Sequence, residues 1–212
     1  MTQAGTSASP GPGDGRQRIP RPDGFVVGDP SPWARLTPDQ RRFTVADVRV
    51  ALADLPAPRP ATAHPFHEAA ADRARQSGAG ELRDAAVLLP LFDEDAEARL
   101  VLTRRPDHMP THQGDVAFPG GKIDRAVDAD AAAAALREAH EEIGLAPDLV
   151  EIVAELDHLP SFGGAFAIAP FVGIIDGRPE LTPAPGEVDR VFDVALSELL
   201  GPGTHHVERW DR

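Results

Sequence analysis

The chain has 212 residues, which suits one globular domain with an extension, and carries a formal charge of −13 from 34 acidic against 21 basic side chains. That balance argues against a nucleic-acid partner, because phosphate-binding surfaces need an excess of Lys and Arg, and no apolar run approaches the roughly 20 residues of a membrane span. There is no cysteine, which removes disulfides, thiolate metal sites and thiol nucleophiles together; the expected location is the cytoplasm.

Residues 1–30 are rich in Gly, Ser and Pro and lack the apolar core of a secretory signal. Residues 1–36 are therefore expected to form a disordered tail. Thr37, Pro38 and Gln40 offer an N-cap, a first-turn proline and a capping-box partner. Val45, Val48, Ala51 and Leu52 follow at helical spacing until Pro56, Pro58 and Pro60 stop the pattern. A second short helix is expected over 67–75, so that 37–83 reads as a peripheral, partly helical extension.

The main domain is expected over 84–212. Residues 85–92 read as a buried strand and 99–105 as its hairpin partner, joined by a polar loop of several residues. An irregular stretch over 106–121 leads to an alanine-rich helix from about 130 to 143, closed by Gly144. Further strands are expected over 150–156, 165–175 and 188–194, with a short helix over 196–200. Strands on both sides of a central helix, without regular βα alternation, indicate an α/β fold with a mixed sheet and not a doubly wound one.

The helix carries the most informative pattern, Arg137-Glu138-Ala139-His140-Glu141-Glu142-Ile143-Gly144-Leu145. At about 100° per residue, Glu138, Glu141 and Glu142 share one arc of about 100°. Ala132, Leu136, Ala139 and Ile143 form an apolar stripe beside them. Clustered carboxylates raise one another's pKa unless a cation lies among them, and Mg²⁺ or Mn²⁺ suits such oxygen donors. A solvated acidic face is the alternative for the glutamates taken alone. Upstream, Phe118-Pro119-Gly120-Gly121-Lys122 places two glycines where the backbone turns sharply or comes close to something.

Taken together, Gly121, the acidic loop after it and residues 137–145 resemble the box of the Nudix hydrolase superfamily, a glycine followed at a distance by R-E-(apolar)-x-E-E-x-G-(apolar). The resemblance implies an α/β/α sandwich with a mixed sheet and a central catalytic loop-helix-loop. It also implies Glu138, Glu141 and Glu142 as metal ligands, Arg137 as the residue orienting the carboxylate beside it, and a magnesium- or manganese-dependent pyrophosphatase. One departure is clear: the loop from Lys122 to Leu136 is longer than usual and contains no glutamate, and Asp128 is the candidate replacement.

A second motif precedes the box. Leu102-Thr103-Arg104-Arg105, then Met109, His112, Gly114, Val116, Phe118 and Pro119 leading into Gly120-Gly121, is similar to the signature of coenzyme A pyrophosphatases within that superfamily. Residues 156–164 also resemble that subfamily. The resemblance implies hydrolysis of coenzyme A or its thioesters to 3′,5′-ADP and 4′-phosphopantetheine or its acyl form. Thr103, Arg105, His112, Gly120, Gly121 and Lys122 are the candidate substrate-binding residues, and the partner is a small nucleoside diphosphate derivative.

Arg105 and Lys122 can also be strand-end salt bridges, and His112 can support the loop. Glu187 is a candidate fourth carboxylate, in competition with Glu151 and Glu155, and the base that activates water is open among Glu138, Glu141 and Glu187. Two rival functions stand beside coenzyme A hydrolysis: the same chemistry on ADP-ribose, NADH or another such derivative, and a non-catalytic ligand-sensing module. Homodimerisation is left open, and the chain's close after Trp210 is expected to leave the domain C-terminally shortened.

Overall fold

The computed structural model describes residues 24–64, 67–76, 78, 82–108, 113–161, 166–201, 204, 205 and 207–210. In chain order the elements are β1 (Val26–Val27), α1 (Val45–Leu52), α2 (His67–Gln76), β2 (Arg83–Glu94), β3 (Glu97–Arg104), β4 (Val116–Ala117), β5 (Gly120–Lys122), α3 (Ala131–Ile143), β6 (Val150–Glu155), β7 (Leu159–Pro160), β8 (Phe166–Ile175), β9 (Arg190–Ala195), α4 (Leu196–Leu199) and β10 (Glu208–Arg209).

The long strand β2 organises the sheet. It runs parallel to β8 along most of its length, and on its other side it pairs antiparallel with β5 near its start and with β3 near its end. β9 and β4 pair antiparallel with β3, and β6 and β7 with β8, giving a mixed sheet of eight strands. The β2–β3 connection is tighter than the expected loop of several residues. Glu94 and Glu97 are paired, and only Asp95 and Ala96 intervene, both at positive φ (52° and 57°). Such two-residue turns match the right-handed twist of the flanking strands.

Period-two alternation along β2 sends Ala86, Leu88 and Phe92 to one face of the sheet, where Val101, Ala169 and Phe171 join them beneath Ala134, Ala135, Ala139 and Ile143 of α3. Leu91 faces the other side with Leu100, Val172 and Ile174, covered by Val45, Val48 and Leu52 of α1 and by Leu196 of α4. The result is an α/β/α sandwich with a mixed sheet. The segment expected as a peripheral extension thus supplies a helix to one layer of the sandwich. It is secured by hydrogen-bonded ion pairs from Arg49 to Glu151 and from Arg59 to Asp157. Its helix begins at Val45, capped by a reciprocal Thr44–Asp47 box, while the reciprocal Thr37–Gln40 hydrogen bonds lead only into a short 3₁₀ turn over Asp39–Arg41, whose N-cap is Pro38. Within the segment expected as tail, the β-branched pair Val26–Val27 forms an antiparallel ribbon with Glu208–Arg209.

α3 forms because an alanine run favours helix. Asp130 accepts a hydrogen bond from the Ala133 amide at its start, and Gly144 adopts the left-handed conformation (φ 71°) at its end. Its buried stripe centres on Ala134, Ala135, Ala139 and Ile143, all fully buried, with Ala132 and Leu136 partly covered at the margin. Small alanines let the helix lie close over β2 and β5, which sets the distance from its carboxylates to the glycines of β5.

Candidate functional site

Two glycines make the close approach. Gly120 sits at φ 151°, and a Cβ there would fall 2.4 Å from the Ala86 carbonyl oxygen and 2.6 Å from Val87 Cα. The backbone conformation and the space both require glycine. At Gly121 a Cβ would lie 2.6 Å from the Glu138 carboxyl carbon, so the missing side chain is the room that Glu138 occupies. Next to it, the Gly120 amide donates to Glu142 Oε2 at 3.0 Å.

That hydrogen bond does not offset what surrounds Glu142. Burial disfavours its charged form, and the nearby carboxylates of Glu138 and Glu187 add to the effect. The Gly120 amide and the Arg105 guanidinium act in the opposite direction, and the net result is a pKa of about 7. Glu142 therefore feels the charges of Glu138, Glu187 and Arg105 together.

The third helical glutamate is joined to Glu138 through Arg137. Glu141 is mostly exposed and accepts from Arg137 Nη1 at 3.0 Å. Arg137 is the hub here. It donates through Nε to Asp128 Oδ1 at 2.8 Å, through Nη2 to Asp128 Oδ2 at 3.1 Å and to the Lys122 carbonyl at 3.2 Å, and its Nη1 lies 2.9 Å from Glu138 Oε1. Asp128, whose side chain is almost fully buried, also accepts from the Asp124 amide at 2.7 Å. Arg137 holds its pKa below the usual carboxylate range. The loop that lacks the expected glutamate thus closes on its helix through an aspartate. An open cleft of about 350 Å³ lies alongside, lined by Lys122, Ile123, Asp124, Arg137 and Glu138.

Glu187 reaches the group through backbone contacts. The last carbonyls of α3 need donors. The Ala184 amide supplies one to the Glu142 carbonyl at 2.8 Å and the Thr182 amide one to the Ile143 carbonyl at 2.9 Å. This docks residues 182–188 on the helix end, and Val188, buried beside the site, anchors their far end. The Asp189 amide then donates to the Arg104 carbonyl and leads the chain into β9. Neither the docking nor the amide of Gly120 was legible in the sequence, because both are backbone contacts between distant segments.

The remaining candidates lie as follows. Thr103 is buried and donates through its hydroxyl to the Ala117 carbonyl at 3.2 Å, bracing β3 against β4. Arg104 is paired with Asp107 and Asp189. Lys122 has an exposed side chain, and its carbonyl holds Arg137. His112 lies outside the described residues. Glu151 and Glu155, the rivals of Glu187, are taken up by Arg49 and by His158.

Among the described residues no three His, Asp or Glu side chains already converge on one point that could hold a metal ion. The donor chemistry nevertheless fits a hard divalent cation. The available groups are carboxylate oxygens, and a bound cation would offset the burial and the neighbouring carboxylates that together raise Glu142.

The NUDIX domain family model matches residues 81–210, which spans more than half of the chain and includes the glycine pair, α3 and Glu187. The chain belongs to the NUDIX domain family. Its relatives include the protein described as "Uncharacterized Nudix hydrolase NudL" from Enterobacter sp. (strain 638), 45% identical over 124 residues, and its namesake from Escherichia coli (strain K12 / DH10B), 41% identical over the same length. In both cases the match covers 58% of this chain and 63% of the relative, a little under two thirds of the relative's length. More distant likenesses among solved structures include a C. elegans Ap4A hydrolase binary complex, 17% identical with a TM-score of 0.47, covering 56% of this chain and 84% of that one. Another is the NUDIX domain of Shewanella oneidensis NrtR complexed with ADP ribose, 18% identical with a TM-score of 0.45, covering 57% of this chain and 77% of that one. The residues from Gly121 to Leu145 that resemble the Nudix box fall inside the span matched by the family model.

Proposed function

We propose that this Nudix domain is a metal-dependent hydrolase of the diphosphate linkage in a nucleoside diphosphate derivative, with coenzyme A or one of its thioesters as substrate. The observation that carries the reading is the placing of Glu138 and Glu142 against the backbone of Gly121 and Gly120, where the charges of Glu187 and Arg105 are also felt at Glu142. The alternative of a solvated acidic face accounts poorly for it, since Glu142 is largely buried and bonded to a backbone amide. The choice of coenzyme A is supported by the motif running from Leu102 to Gly121.

Glu138, Glu142 and Glu187, with Glu141 at the margin, would hold Mg²⁺ or Mn²⁺. A bound divalent ion supplies charge neutralisation at phosphate oxygens and acidifies water. The chain's own residues prepare that chemistry. Arg137, fixed by Asp128 and the Lys122 carbonyl, holds the Glu138 and Glu141 side chains in place. The Gly120 amide orients Glu142. Glu187 is carried on a docked loop and has its carboxylate exposed, so that it can accept a proton from the attacking water; Glu138 and Glu141 are the other candidates for that role. Water adds to one phosphorus, the bridging P–O bond breaks, and the other phosphate leaves. The 37–64 segment is read as part of the catalytic unit, and the residues before β1 as dispensable to it.

The test is product analysis by mass spectrometry after incubation with Mg²⁺ or Mn²⁺ and a panel containing coenzyme A, an acyl-coenzyme A, dephospho-coenzyme A, ADP-ribose and NADH. Production of 3′,5′-ADP and 4′-phosphopantetheine at the highest kcat/KM is expected. Faster turnover of ADP-ribose or NADH overturns the substrate assignment, and no turnover of any member overturns the enzymatic reading.

A further inference from the structure

Most of the arginines in the described residues face a carboxylate: Arg42, Arg49, Arg59, Arg75, Arg99, Arg104, Arg125, Arg137, Arg178 and Arg209 all form ion pairs. Arg105 is different. Its backbone is pinned where β3 ends, with its amide donating to the Asp115 carbonyl at 2.9 Å. Its side chain is partly buried, and among the described residues its Nε, like that of Arg41 elsewhere in the fold, is buried without a hydrogen-bond partner.

Strand alternation decides which way it points. Val101 packs on the α3 face of the sheet, whereas Leu100 and Leu102 pack on the opposite face. Continuing that alternation, Arg104 turns outward to Asp107 and Asp189, and Arg105 lies on the α3 side, close enough for its charge to be felt at Glu142. A guanidinium donates through a rigid planar fork, and a buried N–H of that fork left without an acceptor is costly. Glu142, at which that charge is felt, accepts a hydrogen bond from the Gly120 amide.

We infer that Arg105 binds the scissile diphosphate itself, donating to a nonbridging phosphate oxygen beside the Glu138–Glu142–Glu187 group, and that it does not serve the 3′-phosphate of a coenzyme A substrate. The inference rests on the proposed diphosphate hydrolysis for its ligand. A phosphate oxygen supplies the acceptor that Nε lacks, and the planar fork matches phosphate in a way that an ammonium does not. Recognition of the 3′-phosphate then falls to other residues, and Arg105 is required equally for diphosphates that lack it.

The experiment compares the parent with Arg105→Ala and Arg105→Lys, each checked for its melting temperature. kcat/KM is measured on coenzyme A, dephospho-coenzyme A and ADP-ribose, and binding of α,β-methylene-ADP, an uncleavable diphosphate without a 3′-phosphate, by calorimetry. Arg105→Ala is expected to lose roughly a hundredfold in kcat/KM by the same factor on every compound the parent cleaves, with Arg105→Lys recovering part of it. Binding of α,β-methylene-ADP should weaken in parallel. A loss confined to coenzyme A, or unchanged binding of the methylene analogue, overturns the inference. If the parent cleaves nothing but binds the analogue through Arg105, the hydrolytic reading fails and this one stands; a parent that neither cleaves nor binds overturns both. Should Arg105→Ala melt early, the fold-ratio between compounds in Arg105→Lys decides.

Discussion

Glu142 offers a stability measurement that needs no substrate. Its carboxyl is raised from 4.5 to about 7 in the folded, metal-free protein, chiefly by burial and then by Glu138 and Glu187. A carboxyl with a raised pKa binds more protons folded than unfolded between those two values, so metal-free stability falls as pH rises through that window and levels off above about 7. The difference corresponds to roughly 3 kcal/mol, at about 1.4 kcal/mol per pH unit. Glu142→Gln keeps the shape and the acceptor for the Gly120 amide but cannot ionise. With a chelator present, the variant should therefore match the parent near pH 4.5 and exceed it at pH 8 by up to roughly 3 kcal/mol, or a melting-temperature gain of about 6 to 12 °C. Urea unfolding of both proteins at the two pH values, read by circular dichroism, isolates this group, because every other carboxylate titrates in both. Adding Mg²⁺ or Mn²⁺ at pH 8 should stabilise the parent more than the variant. An equal stability difference at both pH values, or a variant less stable at pH 8, would refute the argument that Glu142 is held in a crowded, desolvated anionic site.

Other substitutions address the remaining parts. Glu138→Gln should lower turnover by about two orders of magnitude or more with the melting temperature held, measured against metal concentration; full activity, or parent activity surviving complete chelation, would reduce this face to a solvated surface. Gly121→Ala pushes a methyl to within 2.6 Å of the Glu138 carboxyl, so the flexible glutamate must move. A drop in kcat with a nearly unchanged melting temperature is expected, and an unchanged kcat would show that the placement of Glu138 is not critical. Asp128→Ala leaves Arg137 without its buried anchor and should cost about 3 kcal/mol in denaturant unfolding together with activity, whereas a stable, active variant would show that the loop closes without it. Deleting residues 1–23 should leave turnover and melting temperature unchanged, since the motif residues begin far beyond them; a marked loss of kcat in the folded deletion protein would assign them a role.

Much of the site was legible in the sequence because helix geometry is local. The alanine run, Asp130 and Gly144 determine where α3 starts and stops, and the 3.6-residue period places Glu138, Glu141 and Glu142 on one side of it whatever lies opposite. Short apolar runs bounded by polar or turn residues likewise mark β2, β3, β8 and β9, and the glycine pair announces a close approach without saying to what. Only the tertiary structure decided what each group meets. It left Glu141 exposed, joined to Glu138 through Arg137, and set Glu138 and Glu142 against the β5 backbone, because a sheet covers one flank of the arc and solvent the other. It brought Glu187 in through amides docking on the helix end, a contact that involves no side-chain pattern at all. It also turned the 37–64 segment into a layer of the sandwich, since a helix as short as α1 buries its apolar stripe only where the sheet provides a matching face.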